Sequence, residues 1–339
     1  MRREIHLYDR IHEWGNLQEA LLRTMRGKRE SQAALDFLAD HPAGLEAIAE
    51  RHRRGDGPMG QFREFTIHDP KKRLISAPCF PDRVLHHAMI NVCEPVFERW
   101  LVSQTYACRP GLGLRAAIRE AAKWTTCRRW YLQLDVRHYF ETVPRDRLCR
   151  RLDRLFGEAS MLRLWRDVID SYDPGVKTGL PIGALTSQHL ANFYLGFLDR
   201  RIKESLRIRA YARYMDDIVL WHDDKAELLR CRDDILAFAG SELGLELKEP
   251  VLNRTSGGMD FLGFRFHPGW TGLTRRSRRR LRLRLRGLAL DLAGGAITEE
   301  EAQRRATAAL AFAAPARTMR MRCLNLRTTG RILLAGEAL

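Results

Sequence analysis

"RAYARYMDDIVLW", residues 209–221, decides the fold. Two apolar halves flank a pair of adjacent carboxylates, Asp216 and Asp217. Apolar runs of this length read as strands, and the acids between them as the turn of a β-hairpin. A lone charge among dry strands costs several kcal/mol unless it is paired or bound to a cation. The acids therefore need a partner, or else they are ordinary surface-turn aspartates, which are common in turns.

The rest of the chain makes the pair stand out further. Of 339 residues, 58 are Lys or Arg and 42 are Asp or Glu, a formal net charge of +16. That balance implies a polyanionic partner, either nucleic acid or an acidic membrane surface. The length fits one large domain or two to three subdomains. A hydrophobic content of 45% with 9% aromatics excludes a disordered chain. No uncharged run approaches the ~20 residues needed to cross a bilayer, and "MRREIHLYDR" at the N-terminus has no apolar stretch of a secretory signal. The expectation is a cytoplasmic protein with no membrane partner. Seven cysteines (Cys79, Cys93, Cys108, Cys127, Cys149, Cys231 and Cys323) are scattered and never spaced as CxxC, which argues for reduced thiols rather than disulfides or zinc. His86 and His87 lie in a helical pattern without metal-ligand spacing and read as structural.

Outward from the hairpin, "RRWYLQLDVRHYF" (128–140) reads as an apolar strand with one carboxylate, Asp135. Residues 16–50 and 145–172 have helical spacing, and a helix is predicted from about 82 to 100. "FREFTIHDPKKRLISAP" reads as two short strands joined by a basic turn at 69–73. "GLPIGALTSQHLANFYLGFLDRRI" (179–202) is a Pro/Gly-rich loop running into an apolar helix. "ELGLELKEP" and "MDFLGFRFHP" are predicted strands, and everything beyond about 270 is arginine-rich and helical.

Three acids on core strands suggest one chemistry. If the strand of Asp135 lies beside the hairpin, the carboxylates converge, and two Mg²⁺ ions about 3.5–4 Å apart would activate a 3′-hydroxyl and stabilise leaving pyrophosphate. The reaction would be nucleotidyl transfer.

"YMDD" (214–217), the upstream "LDVRHYF" and the GxxxS loop-helix between them resemble the reverse transcriptases in residue type, order and spacing. The resemblance implies an α+β right-hand polymerase: an N-terminal helical extension (1–60), fingers (61–127), an RRM-like palm (128–268, with 179–202 bordering the fingers) and a basic helical thumb (269–339). It makes Asp135, Asp216 and Asp217 the catalytic metal ligands, with Val136 beside them in the metal set and Mg²⁺, or Mn²⁺ in its place, as cofactor. Phe140 falls at the steric gate under the incoming sugar, the alternative being a core phenylalanine. Lys71 and Arg73 match the cations that hold a triphosphate, although a basic turn is often merely solvated. Lys248 resembles the palm lysine that protonates pyrophosphate, the alternative being an ordinary lysine on a short strand. "FLGF" (261–264), with Leu262 and Gly263, matches the primer-grip hairpin, the alternative being a plain hairpin core, and Tyr214 and Met215 would meet the primer end.

The central loop reads "IGALTSQ" where most relatives read close to "QGxxxSP", so Ile182, Gly183 and Gln188 mark a subgroup. With "RGKR", "DRVLHHA" and "YACRPGLG" (106–113), the chain resembles the reverse transcriptases of diversity-generating retroelements. Leu112 and Leu114 depart from that pattern, where a lysine and a threonine are more usual. The resemblance implies copying of a structured template RNA into cDNA from dNTPs, with misincorporation at template adenines, aided by a small basic, oligomeric accessory variability protein. Ile182 cannot make the amide hydrogen bond that would hold nucleotide and template base in register, so selection should weaken. In "RRSRRRLRLRLRGLALDLAGG", Leu281, Leu285, Leu288 and Leu292 form one helical stripe, leaving Arg275, Arg279, Arg282 and Arg286 among eight arginines to grip phosphates. The alternatives are a group II intron-like or retron enzyme, or a non-catalytic RNA-binding scaffold of phage defence.

Overall fold

A computed structural model of the chain describes residues 3–27, 31–68 and 72–316. Lys71 and Cys323 lie outside the described residues. The molecule is mixed helix and sheet, the α+β class read from the sequence, and its chain divides into two compact units that are interleaved in sequence.

The first unit comprises residues up to Pro110, Asp135–Arg207 and Cys231–Glu249. It opens with α1 (Tyr8–Ile11), α2 (Trp14–Thr24), α3 (Gln32–Ala39) and α4 (His41–Arg53). Pro42 sits at the start of α4, where its missing N–H costs nothing, and Asp40 caps that helix by accepting from Ala43 N. β1 (Phe62–Ile67) and β2 (Arg73–Pro78) pair antiparallel, with Ile67 opposite Arg73. α5 (Phe80–Trp100) is the long central helix of this unit. Its Phe97 and Trp100 pack against Phe156, Trp165, Phe193 and Phe197, an aromatic core whose rings meet edge-on or tilted. Asp82, buried near its start, accepts from Met59 N and Gly60 N and so ties the entering chain to the helix.

The second unit comprises Gly111–Leu134, Ile208–Arg230 and the chain from Pro250 onward. It begins with α6 (Leu114–Cys127) and β3 (Trp130–Asp135), whose last residue is already counted in the first unit. The first unit then continues with α7 (Tyr139–Thr142), α8 (Arg145–Leu152), α9 (Ala159–Asp170) and α10 (Leu185–Arg200). β4 (Ala210–Tyr214) and β5 (Asp217–His222) form the predicted hairpin, α11 (Lys225–Phe238) follows, and β6 (Val251–Arg254) completes a four-stranded sheet of order β4-β5-β3-β6. β7 (Met259–Phe261), β8 (Phe264–His267) and β9 (Trp270–Leu273) form a three-stranded meander. α12 (Arg275–Ala293) and α13 (Glu299–Ala313) pack together, α12 through Leu281, Leu285 and Leu288 and α13 through Ala302, Ala306 and Ala309.

One predicted strand moves. "ELGLELKEP" is helical at its start, then meets the end of β3 through the Leu247–Val136 bridge and the Lys248 N–H on the Asp135 carbonyl, and the strand proper begins at Val251. Gly244, in the left-handed region at φ +63°, ends the helical turn and delays the extended segment. His86 is buried and structural as expected, its Nδ1 lying 3.3 Å from Thr186 Oγ1. Among the described residues no helix is long and apolar enough to cross a membrane.

Candidate active site

The β4–β5 hairpin places its acids by register. Tyr214 stands opposite Asp217, so Met215 and Asp216 are the two turn residues, and Met215 takes φ +54° to close it. A side chain other than glycine rarely adopts that conformation, and it persists where surroundings impose it. Arg213 supplies part of that constraint. It is wholly buried, and its Nη1 donates to the Met215 carbonyl at 2.9 Å. A buried guanidinium needs such acceptors to offset its lost hydration. Its signal in the sequence is one basic residue inside an apolar strand.

Asp135 ends β3, and β3 lies next to β5 in the strand order of the sheet. Its Oδ2 accepts from Lys248 Nζ at 2.6 Å, and its main-chain carbonyl accepts from Lys248 N at 2.8 Å. Its other carboxylate oxygen, Oδ1, is buried without a hydrogen-bond partner among the described residues. Val136, buried beside it, is held in register with Leu247. Lys248 thus meets Asp135 directly, a pairing the sequence reading did not foresee. Among the described residues no three carboxylate, imidazole or thiol groups stand at metal-holding spacing, and at Asp135 the counter-charge is the Lys248 ammonium.

The residues assigned to the nucleotide are joined by backbone hydrogen bonds inside the first unit. Ser76 N, in β2, donates to the Ile182 carbonyl at 2.8 Å, and Leu180 N donates to the Phe140 carbonyl at 2.7 Å. The strand bearing Arg73, the loop bearing Ile182 and Gly183, and the helix bearing Phe140 are therefore one connected frame. Gly183 has φ +126°, and a Cβ there would lie 2.8 Å from Ile75 Cγ2 and 3.2 Å from the Ser76 carbonyl, so the approach requires glycine. Phe140 is half-buried beside Tyr139, whose hydroxyl donates to the Ala191 carbonyl. Arg73 is exposed and has no carboxylate partner among the described residues. Gln188, on the first turn of α10, accepts from Cys108 Sγ at 3.4 Å and is exposed.

In the second unit the β7–β8 turn consists of Leu262 at φ +51° and Gly263 at φ +83°, the two-residue turn whose twist matches its strands. A Cβ on Gly263 would come within 2.8 Å of Ser277 Oγ, and the Gly263 carbonyl accepts from Thr274 N, so the turn rests on the start of α12. Along α12, Arg275, Arg279, Arg282 and Arg286 are exposed and none has a carboxylate partner among the described residues. The predicted leucine stripe is buried at Leu281, Leu285 and Leu288 and half-buried at Leu292.

A family model described as reverse transcriptase (RNA-dependent DNA polymerase) matches residues 67–266. The chain is 26% identical over 240 residues to Protein YkfC of Escherichia coli (strain K12), covering 58% of this chain and 63% of that protein. It is 25% identical over 158 residues to an uncharacterized 91 kDa protein in the cob intron of Schizosaccharomyces pombe, covering 44% and 18%. Among solved structures, it is similar to the telomerase of Candida albicans, at TM-score 0.49 and 12% identity, covering 85% of this chain and 58% of that one. The chain spans less than two thirds of the length of each of these proteins.

Proposed function

The chain belongs to the reverse transcriptase (RNA-dependent DNA polymerase) family, and from that premise we propose that it is an RNA-directed DNA polymerase of right-hand design. Asp135, Asp216 and Asp217 are its catalytic carboxylates. The observation that carries the reading is the half-satisfied carboxylate of Asp135, with Oδ2 on Lys248 and Oδ1 buried and unpartnered, on a strand whose sheet neighbour begins at Asp217. A buried polar atom left unpaired costs about 1–3 kcal/mol, more when charged, and a hard cation would relieve it. The three carboxylates and the Val136 carbonyl offer the oxygen donors that suit Mg²⁺, with Mn²⁺ able to substitute. Bound there, such ions supply charge stabilisation to the attacking and leaving oxygens.

The remaining roles fall to the chain's own groups. Lys248 holds its proton at Nζ, within reach of Asp135, and donates it to leaving pyrophosphate. Arg73, with Lys71, holds the triphosphate of the incoming dNTP, and Phe140 lies under its sugar. Tyr214, Met215, Leu262 and Gly263 meet the primer, and the α12 arginines hold backbone phosphates of the structured template RNA and its cDNA.

The finer reading is synthesis for diversity generation, error-prone at template adenines and assisted by the accessory variability protein. Ile182 and Gln188 support it: the frame presents an apolar side chain where an amide would hydrogen-bond. An intron-type enzyme is the second reading, favoured by the relative encoded in an intron. Primer extension on an RNA template with Mg²⁺ tests the activity: wild type should make cDNA, and Asp216→Ala with Asp217→Ala should not. Loss of synthesis in wild type with RNA binding intact would favour the scaffold instead. Sequencing the cDNA of wild type and Ile182→Gln tests the finer reading, which predicts fewer errors opposite adenine in the variant and is overturned by equal spectra.

A further inference from the structure

β3 carries Asp135 at one end and Trp130 at the other, roughly 17 Å away along six extended residues. The Trp130 end borders an open groove of about 760 Å³ that no part of the polymerase reading uses. Two cations stand on the indole, and one of them, Arg254, lines the groove. Arg254, opposite Trp130 in the β3–β6 register, lies 4.9 Å from the ring centre, and Lys225 lies 5.3 Å from it. Arg128 is spent on Asp223, which it meets at 2.5 Å. Arg129, Arg254 and Lys225 are exposed, and among the described residues none has a carboxylate within ion-pair distance. Arg254 and Lys225 are thus held in place by an aromatic ring with no ion-pair partner among the described residues, while Arg129 is anchored through its main-chain N–H on Asp223 and its side chain is left exposed.

The groove continues into a second one, of about 440 Å³, through the shared residues Thr126 and Cys127. Trp270 lines that part and is 41% exposed. It lies across Gly272, where a Cβ would come within 2.2 Å of the ring, and it meets His267 at 5.6 Å. The indole is therefore fixed on the meander with much of its surface open, beside Lys123.

The geometry points to a second nucleic-acid site here, one that holds an unpaired segment of RNA: phosphates on Arg129, Arg254 and Lys225, and a base stacked on Trp270. Unneutralised cations select a polyanion, and an open, pinned indole beside them selects unstacked bases over duplex or protein acids. The choice of RNA over DNA rests on the proposed template, while the groove itself is independent of the catalytic carboxylates. It would retain template RNA outside the polymerising centre.

The test uses the full chain, with a fluorescent unstructured RNA oligonucleotide in anisotropy titrations across a salt series. Arg129→Ala with Arg254→Ala should weaken binding and lower the salt slope by about 0.7 per lost phosphate contact, and Trp270→Ala should weaken it about tenfold. Trp270→Phe should recover most of the affinity, and unchanged melting temperatures exclude misfolding. Extension of a short pre-annealed primer should be unaffected. Unchanged affinity and slope in both variants overturn the site, as does equal competition by duplex DNA or by an acidic polypeptide. If the wild type makes no cDNA yet these variants lose RNA, the polymerase reading falls and this site stands.

Discussion

Asparagine at position 135 keeps the shape of the side chain and removes its charge, which separates two effects. The Lys248 pair is half-exposed, with 47% and 34% of the two side chains accessible, so its loss costs under about 1 kcal/mol. Asp135→Asn should therefore move the melting temperature by only a few degrees. A carboxamide offers a divalent cation no anionic oxygen, and primer extension should fall by roughly a hundredfold or more. Extension near the wild-type rate would remove Asp135 from the catalytic set. Lys248 is tested by two replacements. Lys248→Arg keeps a cation on Asp135 but holds its proton too tightly to release it near neutral pH, and Lys248→Ala removes both charge and proton. If proton donation matters, both variants should lose about 10²–10⁴ in kcat with KM for dNTP nearly unchanged. A fully active Lys248→Arg would leave the lysine a charge-pairing role alone.

Among the elements, the two hairpins were legible because each announces its own turn: continuous apolar runs around "MDD", and "LG" between two phenylalanines. The strand read into 242–250 was not, since Leu245 and Leu247 have the right alternation but a helical turn runs on to Leu243, ends at the left-handed Gly244, and leaves the segment one bridge and the Lys248–Asp135 main-chain bond before the strand proper starts at Val251. Asp135 was legible as a lone acid on an apolar strand, whereas its contact with Lys248 joins residues 113 positions apart, beyond any local pattern. Trp130 read as an ordinary strand aromatic and Trp270 stood at the start of the stretch read as helical, although it opens β9; the cations near them, Arg254, Lys225 and Lys123, come from distant segments. The loop at 179–183 shows how backbone rather than side chain sets the frame proposed to hold the nucleotide. Gly183→Ala forces a Cβ against Ile75 and the Ser76 carbonyl at a φ that suits glycine, a cost of about 1–3 kcal/mol. The loop should yield first, so the variant should raise KM for dNTP and lower the melting temperature together. A change in neither would mean that the β2 contact is not maintained in solution. Arg213→Met leaves the Met215 carbonyl without its buried donor, and the strained turn should loosen. Reduced kcat with RNA affinity intact is the expected signature, and a wild-type kcat would exclude a positioning role for Arg213.

For the whole molecule, acid sensitivity follows from histidines that folding holds neutral. Burial pushes His52 down to about 4, His86 to about 3 and His189 to about 4, and lowers His12. Each is a base whose folded value lies below its unfolded value near 6.5, so between those limits the unfolded chain binds more protons. Their contribution to stability is complete above about pH 6.5 and drains away as the pH falls toward 4. At about 1.4 kcal/mol for each tenfold change, a buried imidazole loses roughly 3 kcal/mol over that range, and three together rival the ~5–15 kcal/mol that stabilises a typical domain. All three lie in the first unit, with the frame that joins β2, the Gly183 loop and Phe140. Calorimetry from pH 8 to 4 should therefore show a melting temperature that is flat above pH 7 and falls steeply below 6. The net charge of +16 pushes in the same direction, because protonation adds to an existing self-repulsion. Salt separates the two causes. Repulsion between exposed charges is screened as the Debye length shrinks from about 10 Å at 0.1 M to 3 Å at 1 M, whereas the desolvation of a buried imidazole is not. If the acid loss persists in 1 M salt, the histidines cause it, and if salt restores the neutral-pH melting temperature at pH 5, surface repulsion does.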